Sequence, residues 1–186
     1  MAQKNESPNL IWVDCEMTGL DLAKDVLVEI AVLVTDSELN ILGEGVDLVI
    51  KATTDQLAGM NEFVTNMHTE SGLITEIPNG VELAFAEAEI IAYLEKYAPG
   101  AGKSPLAGNS VGTDRSFIAR DMPLLNAYLH YRTIDVSSIK ELARRWYPRI
   151  YFAAPKKTGN HRALGDIRDS IEELEYYRKA IFVPNN

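Results

Sequence analysis

The stretch Leu10-Ile-Trp-Val-Asp-Cys-Glu-Met-Thr-Gly19 carries the pattern that decides the fold of this chain. Its first four residues are all apolar, as expected for a strand that is covered on both faces. Asp14 and Glu16 are two residues apart, so on a strand their side chains point to the same face. Cys15 should then point to the opposite face and pack as a small core residue. The stretch therefore predicts a buried strand that ends in a pair of neighbouring carboxylates.

The carboxylate pair has two interpretations. Two like charges a few ångströms apart repel each other unless a cation lies between them, and carboxylate oxygens favour Mg²⁺ or Mn²⁺. Alternatively, the pair is an exposed acidic strand end beside a turn at Thr18 and Gly19, because charged residues are mostly exposed. The positions of the other acidic residues in the chain distinguish a metal site from a solvated strand end.

Length and composition are those of an ordinary globular protein. The 186 residues favour a single domain, which we place at residues 9–184 after a flexible polar tail at residues 1–8. We find no apolar stretch long enough to span a membrane and no secretory signal pattern at the N-terminus. The single cysteine excludes an internal disulfide. We therefore expect a cytoplasmic protein that does not associate with membranes.

Charge is unevenly distributed along the chain. The net charge of −9 argues against a general nucleic-acid coat protein. Residues 1–99 contain 4 basic and 18 acidic residues, whereas residues 100–186 contain 14 basic and 9 acidic residues. Each basic residue alone is typical of a solvated helix face. As a set, the basic residues of the second half could line one wall of a site for a phosphate chain.

The apolar pattern predicts an α/β protein with a mixed five-stranded sheet flanked by helices. A meander of three antiparallel strands comes first, and strands alternate with helices in the second half. The predicted strands cover residues 10–16, 26–34, 41–50, 105–108 and 131–136.

Helices are predicted for much of the remaining chain. The longest cover residues 81–97 and 163–180, each with an apolar stripe at helical spacing. Thr113 is the expected N-cap of a further helix, and Ser138-Ile-Lys-Glu141 has the form of a capping box that opens another. Prolines and a glycine predict a loop over residues 146–159.

Two more acids and a histidine lie where a metal site at the first strand would need them. Asp114 is in the first turn of a helix and shares a face with Phe117 and Ile118. Alternatively, it only interacts with the helix dipole. Asp166 lies on the closing helix, and His161 precedes that helix and could reach over a cleft. A lone histidine is more often a surface or capping residue.

Together, the four acids and the histidine match the needs of two-metal phosphoryl chemistry. Carboxylates would hold two divalent ions about 4 Å apart, and these stabilise the attacking and leaving oxygens. A neutral imidazole could take the proton from the attacking water near pH 7.

Three motifs, in this order, resemble those of the DEDDh family of 3′–5′ exonucleases. They are Asp14-x-Glu16, Asp114 and His161-x-Ala-x-x-Asp166. Longer strings are similar to those of the oligoribonuclease branch of this family, and the similarity runs from about residue 9 to residue 184. These strings are Ile11-Trp-Val-Asp-Cys-Glu-Met-Thr-Gly-Leu20, Ala107-Gly-Asn-Ser110, Arg120-Asp-Met-Pro123, His130-Tyr-Arg-Thr-Ile-Asp-Val-Ser137 and Arg145-Trp-Tyr-Pro148.

The resemblance implies an RNase H-like fold, a homodimer, and dependence on Mg²⁺ or Mn²⁺ with two ions per active site. It also implies a substrate and a reaction. Short single-stranded RNA, dinucleotides above all, would be hydrolysed to nucleoside 5′-monophosphates. By position, Asp14, Glu16, Asp114 and Asp166 are implied as metal ligands and His161 as the general base.

The resemblance further implies how the nucleotides are bound. Leu20 would be a wedge against the bases, and Met17 and Thr18 would line the 3′ end. Tyr131 and His68 would reach in from the partner subunit. A tyrosine can stack on a base, although core packing is the alternative for Tyr131 when the residues alone are considered.

A terminal 5′ phosphate would be held by Ser110, Arg132 and Ser137, again by resemblance. Arg132 has the fork geometry that suits a phosphate. Ser137 lies next to a predicted helix start, where backbone N–H groups favour anions.

Two alternative functions stay open. The nearer is another DEDDh exonuclease, such as a proofreading subunit or a DNA-trimming enzyme. The other is a non-catalytic nucleotide-binding dimer, against which the intact set of four acids and one histidine argues.

Overall fold

The computed structural model describes residues 8–156 and 161–183, and within these ranges five strands form one sheet. The strands are β1 (Leu10–Met17), β2 (Leu27–Thr35), β3 (Ile41–Val49), β4 (Pro105–Gly108) and β5 (His130–Asp135). Antiparallel pairing joins β2 to β1 and β3, and parallel pairing joins β4 to β1 and β5. The order is β3-β2-β1-β4-β5, so β1 is central. The predicted mixed five-stranded sheet is confirmed.

Nine α-helices and one 3₁₀ turn (Ile77–Asn79) occur in the part of the chain that the structure describes. The helices are α1 (Thr54–Ala58), α2 (Glu62–Glu70), α3 (Leu73–Glu76), α4 (Leu83–Tyr97), α5 (Gly112–Asp121), α6 (Pro123–Tyr128), α7 (Val136–Trp146), α8 (Pro148–Phe152) and α9 (Ala163–Ala180). Every helix in the described ranges is too short or too polar to cross a membrane.

Side chains of β1 alternate between two cores on opposite faces of the sheet. Ile11 and Val13 pack in a core with residues of α4, α5 and α6. Trp12 packs in a second core with residues of α7 and α9. Because side chains alternate along a strand, Asp14 and Glu16 lie on the Trp12 face. The two acids therefore face the layer of helices that contains α9.

Two predicted helix starts were wrong, and both errors concern capping. Helix α5 begins at Gly112 with Val111 at its N-cap, and no side chain among the described residues caps it. Helix α7 begins two residues before the predicted capping box, because the Asp135 carboxylate accepts a hydrogen bond from the Ser137 N–H at 2.9 Å. An acid at the end of β5 thus caps the helix in place of Ser138.

The predicted loop at residues 146–159 was also wrong in part. It contains α8, which starts at Pro148, a position where proline loses no helical hydrogen bond. The rest of that prediction extends into residues 157–160, which lie outside the described residues. The flexible tail predicted for residues 1–8 likewise falls outside them, apart from Pro8.

Candidate active site

Three acidic side chains meet between β1 and α9. Carboxylate oxygens of Asp14, Glu16 and Asp166 all lie within 4.8 Å of one another. Glu16 is only 8 % exposed, and the other two acids are half-buried. Burial raises the pKa of Glu16 to about 8, and the nearby charges of Glu29, Asp166 and Asp114 add to this effect. A buried group of acids that repel one another is a site for a hard cation rather than a solvated strand end.

Asp114, the fourth predicted ligand, lies beside this group rather than within it. It is buried, and its Oδ1 accepts a hydrogen bond from the Cys15 N–H at 3.0 Å. The pairing of β1 with β4 ends at Trp12 and Ala107, so the Cys15 N–H lies beyond the paired part of β4. Burial raises the pKa of Asp114 to about 6, although hydrogen bonds from backbone N–H groups oppose the rise. The first turn of α5 thus brings a carboxylate to the end of β1.

Cys15 is a core residue, as predicted. Its side chain packs with Ile11 and Val13. Burial raises the pKa of the thiol well above its usual value, and the charges of Asp114 and Asp14 raise it further. A thiol in such surroundings stays protonated and does not act as a nucleophile.

Glu29 and Arg162 form an ion pair next to the acids, with Glu29 buried and Arg162 partly exposed, and the sequence reasoning missed it. Glu29 lies opposite Glu16 in the pairing of β1 with β2 and is completely buried. Arg162 Nη2 lies 2.7 Å from Glu29 Oε1, and the same guanidinium binds Glu76. Glu29 Oε2 also accepts a hydrogen bond from the Ala163 N–H at 3.0 Å. The pair therefore fixes the start of α9, which carries Asp166.

His161 lies just before Arg162, the N-cap of α9, and is exposed. Its φ of 51° is in the left-handed region, which is uncommon for a residue with a side chain. The assignment of His161 as general base stays a prediction.

The residues that follow Glu16 divide into buried and exposed ones. Met17 and Thr18 are buried, whereas Leu20 is 76 % exposed. The Thr18 hydroxyl accepts a hydrogen bond from the Val26 N–H at 3.0 Å and donates to Asp25 Oδ1 at 3.3 Å. In this structure the Thr18 hydroxyl therefore holds its own loop, while Leu20 is free to contact a ligand.

His68 does not reach towards a partner subunit, and this expectation was wrong. The imidazole is completely buried in its own chain, with Nε2 2.9 Å from the Met17 carbonyl oxygen. Because a carbonyl only accepts, Nε2 must carry a proton. Nδ1 lies 3.9 Å from Glu16 Oε2 and has no hydrogen-bond partner among the described residues. His68 is thus a neighbour of Glu16 within the same subunit.

Tyr131 is exposed on the edge strand β5, which excludes core packing. Its side chain is 74 % exposed. The Arg132 guanidinium carbon lies 5.3 Å from the centroid of the Tyr131 ring. The centroid of the His130 ring lies 4.4 Å from the same point. Both Tyr131 and Arg132 are accessible to a ligand or to another subunit.

Ser110 and Ser137 come together where β4 and β5 end. Their hydroxyl oxygens are 3.1 Å apart. The Ser110 and Ser137 N–H groups both donate to Asp135 Oδ1, at 3.0 Å and 2.9 Å. The expected backbone anion site at the start of α7 is therefore already occupied at Ser137. The Ser137 hydroxyl also donates to Asn109 Oδ1 at 2.9 Å. The role of Ser110, Ser137 and Arg132 in binding a phosphate stays a prediction.

Comparisons with known proteins agree with this geometry. Residues 11–174 match the RNase_T family model, described as exonuclease. The oligoribonuclease of Streptomyces avermitilis is 63 % identical over 94 % of this chain and 88 % of that protein. The oligoribonuclease of Rhodococcus jostii is 65 % identical over 94 % and 88 %, and that of Cutibacterium acnes 60 % identical over 95 % and 87 %.

Solved structures of exonuclease I share the fold. The zinc-bound complex of the Escherichia coli enzyme with single-stranded DNA superposes with a TM-score of 0.73 at 17 % identity, over 94 % of this chain. Exonuclease I of Methylocaldum szegediense gives a TM-score of 0.68 at 20 % identity, also over 94 % of this chain. This chain spans only 41 % of either protein, so the likeness concerns the RNase H-like domain alone.

The chain belongs to the RNase_T exonuclease family and, within it, to the oligoribonucleases. It is a nuclease that hydrolyses phosphodiester bonds, as the motifs predicted.

Proposed function

We propose that this chain is a 3′–5′ exoribonuclease that reduces short single-stranded RNAs, dinucleotides above all, to nucleoside 5′-monophosphates. The observation that carries the proposal is the meeting of Asp14, Glu16 and Asp166 within 4.8 Å. Its support in sequence is the identity of 60 % to 65 % with oligoribonucleases along nearly the whole chain.

The acidic group fits a hard divalent ion. Its donors are carboxylate oxygens only, and the raised pKa of Glu16, about 8, reflects burial among negative charges that a cation would offset. Asp14, Glu16, Asp114 and Asp166 are the residues that would hold Mg²⁺ or Mn²⁺, with two ions per site. Bound ions would supply charge stabilisation to the attacking and leaving oxygens.

His161 takes the proton from the attacking water in this proposal. It lies just before Arg162, the N-cap of α9, and five residues before Asp166 in the sequence. Its side chain is exposed and so is accessible to a substrate. A neutral imidazole is a suitable base near pH 7.

The preference for dinucleotides follows from a binding site that is closed around the 5′ phosphate of the substrate. Ser110, Ser137 and Arg132 bind the terminal phosphate, while Leu20 separates the bases and Met17 and Thr18 border the 3′ end. A longer RNA has to lead its 5′ portion past the serine pair and loses those contacts. Each charge-assisted hydrogen bond lost is worth about 1.5–3 kcal/mol.

A homodimer completes the site. Exposed apolar side chains cluster in sequence on β5, α7 and α8, at Tyr131, Leu142, Trp146 and Phe152. Leu142 and Trp146 are four residues apart and share one face of α7. A contiguous exposed apolar patch marks an interface, and we propose that these side chains form one. We assign a second copy of the chain to this face, with Tyr131 entering the partner's site.

The cytoplasm is the proposed location. Cys15 is a free, buried thiol, which suits a reducing compartment. We further propose residues 9–184 as the boundaries of the single exonuclease domain.

Digestion of labelled oligonucleotides tests the proposed function. RNA and DNA substrates from dinucleotides up to about 20-mers are compared with Mg²⁺ or Mn²⁺ present. The fastest turnover should be that of the RNA dinucleotide carrying a 5′ phosphate. Equal or faster digestion of long DNA would instead establish a DNA-trimming exonuclease, and no cleavage would establish a nucleotide-binding protein.

A further inference from the structure

The connection between β1 and β2, residues 18–26, carries the exposed Leu20 and is called the Leu20 loop here. Its two ends are joined directly: the Thr18 N–H donates to the Val26 carbonyl at 3.0 Å, and the Val26 N–H donates to the Thr18 hydroxyl at 3.0 Å. The loop therefore leaves the sheet after Met17 and returns to it at Leu27, and its two ends are joined by these hydrogen bonds. Leu20 is placed by whatever fixes the loop between these ends.

Asp25 fixes the loop from inside. Its carboxylate is buried and accepts hydrogen bonds from the Asp21 N–H at 2.8 Å and from the Thr18 hydroxyl at 3.3 Å. Gly19 lies so close that a Cβ at this position would be 2.3 Å from Asp25 Oδ2. The chain on either side of Leu20 is thus packed around one carboxylate.

Arg120 fixes the same loop from outside. This residue is in the last turn of α5, and its Nη2 donates to the Asp25 carbonyl oxygen at 2.8 Å. Its Nη1 donates to the Leu22 carbonyl oxygen. One guanidinium therefore holds two carbonyls of the loop, a fixed fork geometry that a lysine cannot reproduce.

The guanidinium is itself held rigidly on α5. Asp121 accepts from Nε and Nη2 at 2.6 Å each. The guanidinium carbon also lies 4.9 Å from the ring centroid of the buried Phe117. Asp114, on the same helix, binds the Cys15 N–H of β1. Helix α5 therefore holds a proposed metal ligand at its start and the Leu20 loop at its end.

We propose that Arg120 is a positioning residue that holds Leu20 in place against the bases of the substrate. The inference rests on the proposed function, because it gives Leu20 its role. Arg120 acts through the loop. In the described contacts it touches neither the proposed metal ligands nor the residues of the proposed phosphate site. Its loss should therefore weaken the binding of dinucleotides and leave the rate of the bound complex nearly unchanged.

A double-mutant cycle with Arg120→Lys and Leu20→Ala tests the proposal on the KM and kcat of a 5′-phosphorylated RNA dinucleotide. We expect Arg120→Lys to raise KM about 10-fold in the wild-type background, the equivalent of one lost charge-assisted hydrogen bond. In the Leu20→Ala background the same substitution should change KM less than about 2-fold, because residues that act through one another are not additive. In both backgrounds kcat should stay within about 2-fold.

Arg178→Lys is the matched control. Arg178 also donates to a backbone carbonyl and to a carboxylate, both of Glu38, but it lies near the end of α9. It should leave KM unchanged in either background. Arg120→Gln is measured in the same cycle as a second variant. All rates are measured well below the Tm of each variant, so that a folding defect of one variant does not determine the result.

Two results would overturn the inference in distinguishable ways. If Leu20→Ala raises KM and Arg120→Lys raises it by the same factor in both backgrounds, Arg120 acts independently of Leu20, and only its positioning role fails. If Leu20→Ala leaves KM unchanged, the role of Leu20 in the proposed function fails together with that of Arg120.

Discussion

Replacement of Glu16 by glutamine should stabilise the metal-free protein at high pH. Glu16 has its pKa raised from 4.5 to about 8 in the folded chain by burial and by neighbouring acids. The folded state therefore favours the protonated carboxyl. The contribution of Glu16 to the free energy of unfolding is fully present below pH 4.5 and is lost as the pH rises through about 8. Glutamine resembles the protonated form at every pH and escapes this loss.

The magnitude follows from the same pKa values. At about 1.36 kcal/mol per unit of pKa, the rise from 4.5 to about 8 corresponds to an upper limit of about 5 kcal/mol. The unfolded chain retains some structure and charge, so we expect about 2–4 kcal/mol at pH 9. For a chain of this size that is an increase in Tm of about 5–15 °C. At pH 4 the two proteins should differ by less than about 1 kcal/mol.

Urea unfolding of both proteins in EDTA, at several pH values from 4 to about 9, measures this difference. Glu70→Gln, at the exposed end of α2, is the control and should change stability by less than about 0.5 kcal/mol at each pH. Mg²⁺ should stabilise the wild type more than Glu16→Gln, because bound cations remove the repulsion that the variant lacks. A Glu16→Gln protein that is equally or less stable than the wild type at pH 9 would refute the electrostatic account of the acidic group.

Four further outcomes are expected. Excess EDTA should abolish RNA hydrolysis and added Mg²⁺ or Mn²⁺ should restore it, since the donors are carboxylates; full turnover in chelator would exclude a metal site. His161→Ala should lower kcat by about 10² to 10⁴ and remove the acidic limb of the pH–rate profile, while calorimetry shows metal binding unchanged; an unaltered rate would assign the base elsewhere. Arg132→Ala should erase the preference for dinucleotides over longer RNA, which rate comparison across lengths would show; a preserved preference means that the 5′ phosphate is bound by other groups. Mixed Asp14→Ala and Tyr131→Ala subunits, each inactive alone, should regain activity because one site of the heterodimer is intact; subunit exchange without activity would place Tyr131 in its own site.

Local patterns predicted the framework of the site well. The two-residue period of β1 placed Asp14 and Glu16 on one face and Cys15 on the other, and helical spacing placed Asp166 on α9. These features depend on backbone geometry that neighbouring residues determine. They therefore require no knowledge of which distant segments meet.

Features that depend on distant contacts were not predicted. Arg162 and Glu29 are 133 residues apart in the chain, and Arg120 is 95 residues from Asp25. His68 was placed in the wrong subunit because its burial depends on how α2 packs against the end of β1. At α7, the Asp135 carboxylate caps the helix instead of Ser138. Sequence spacing alone does not show which of two possible capping residues is used.

The short length of β4 has a consequence for how this site can vary. Gly108 ends the strand in a conformation with φ of 153°, where a Cβ would lie 2.9 Å from the Val13 carbonyl oxygen. If β4 continued beside β1, its backbone would compete for the Cys15 N–H that now holds Asp114. The short strand thus leaves the Cys15 N–H available to anchor Asp114 instead of a longer sheet. Insertions that lengthen β4 should be among the least tolerated changes in the chain, although they would add to the regular structure of the sheet.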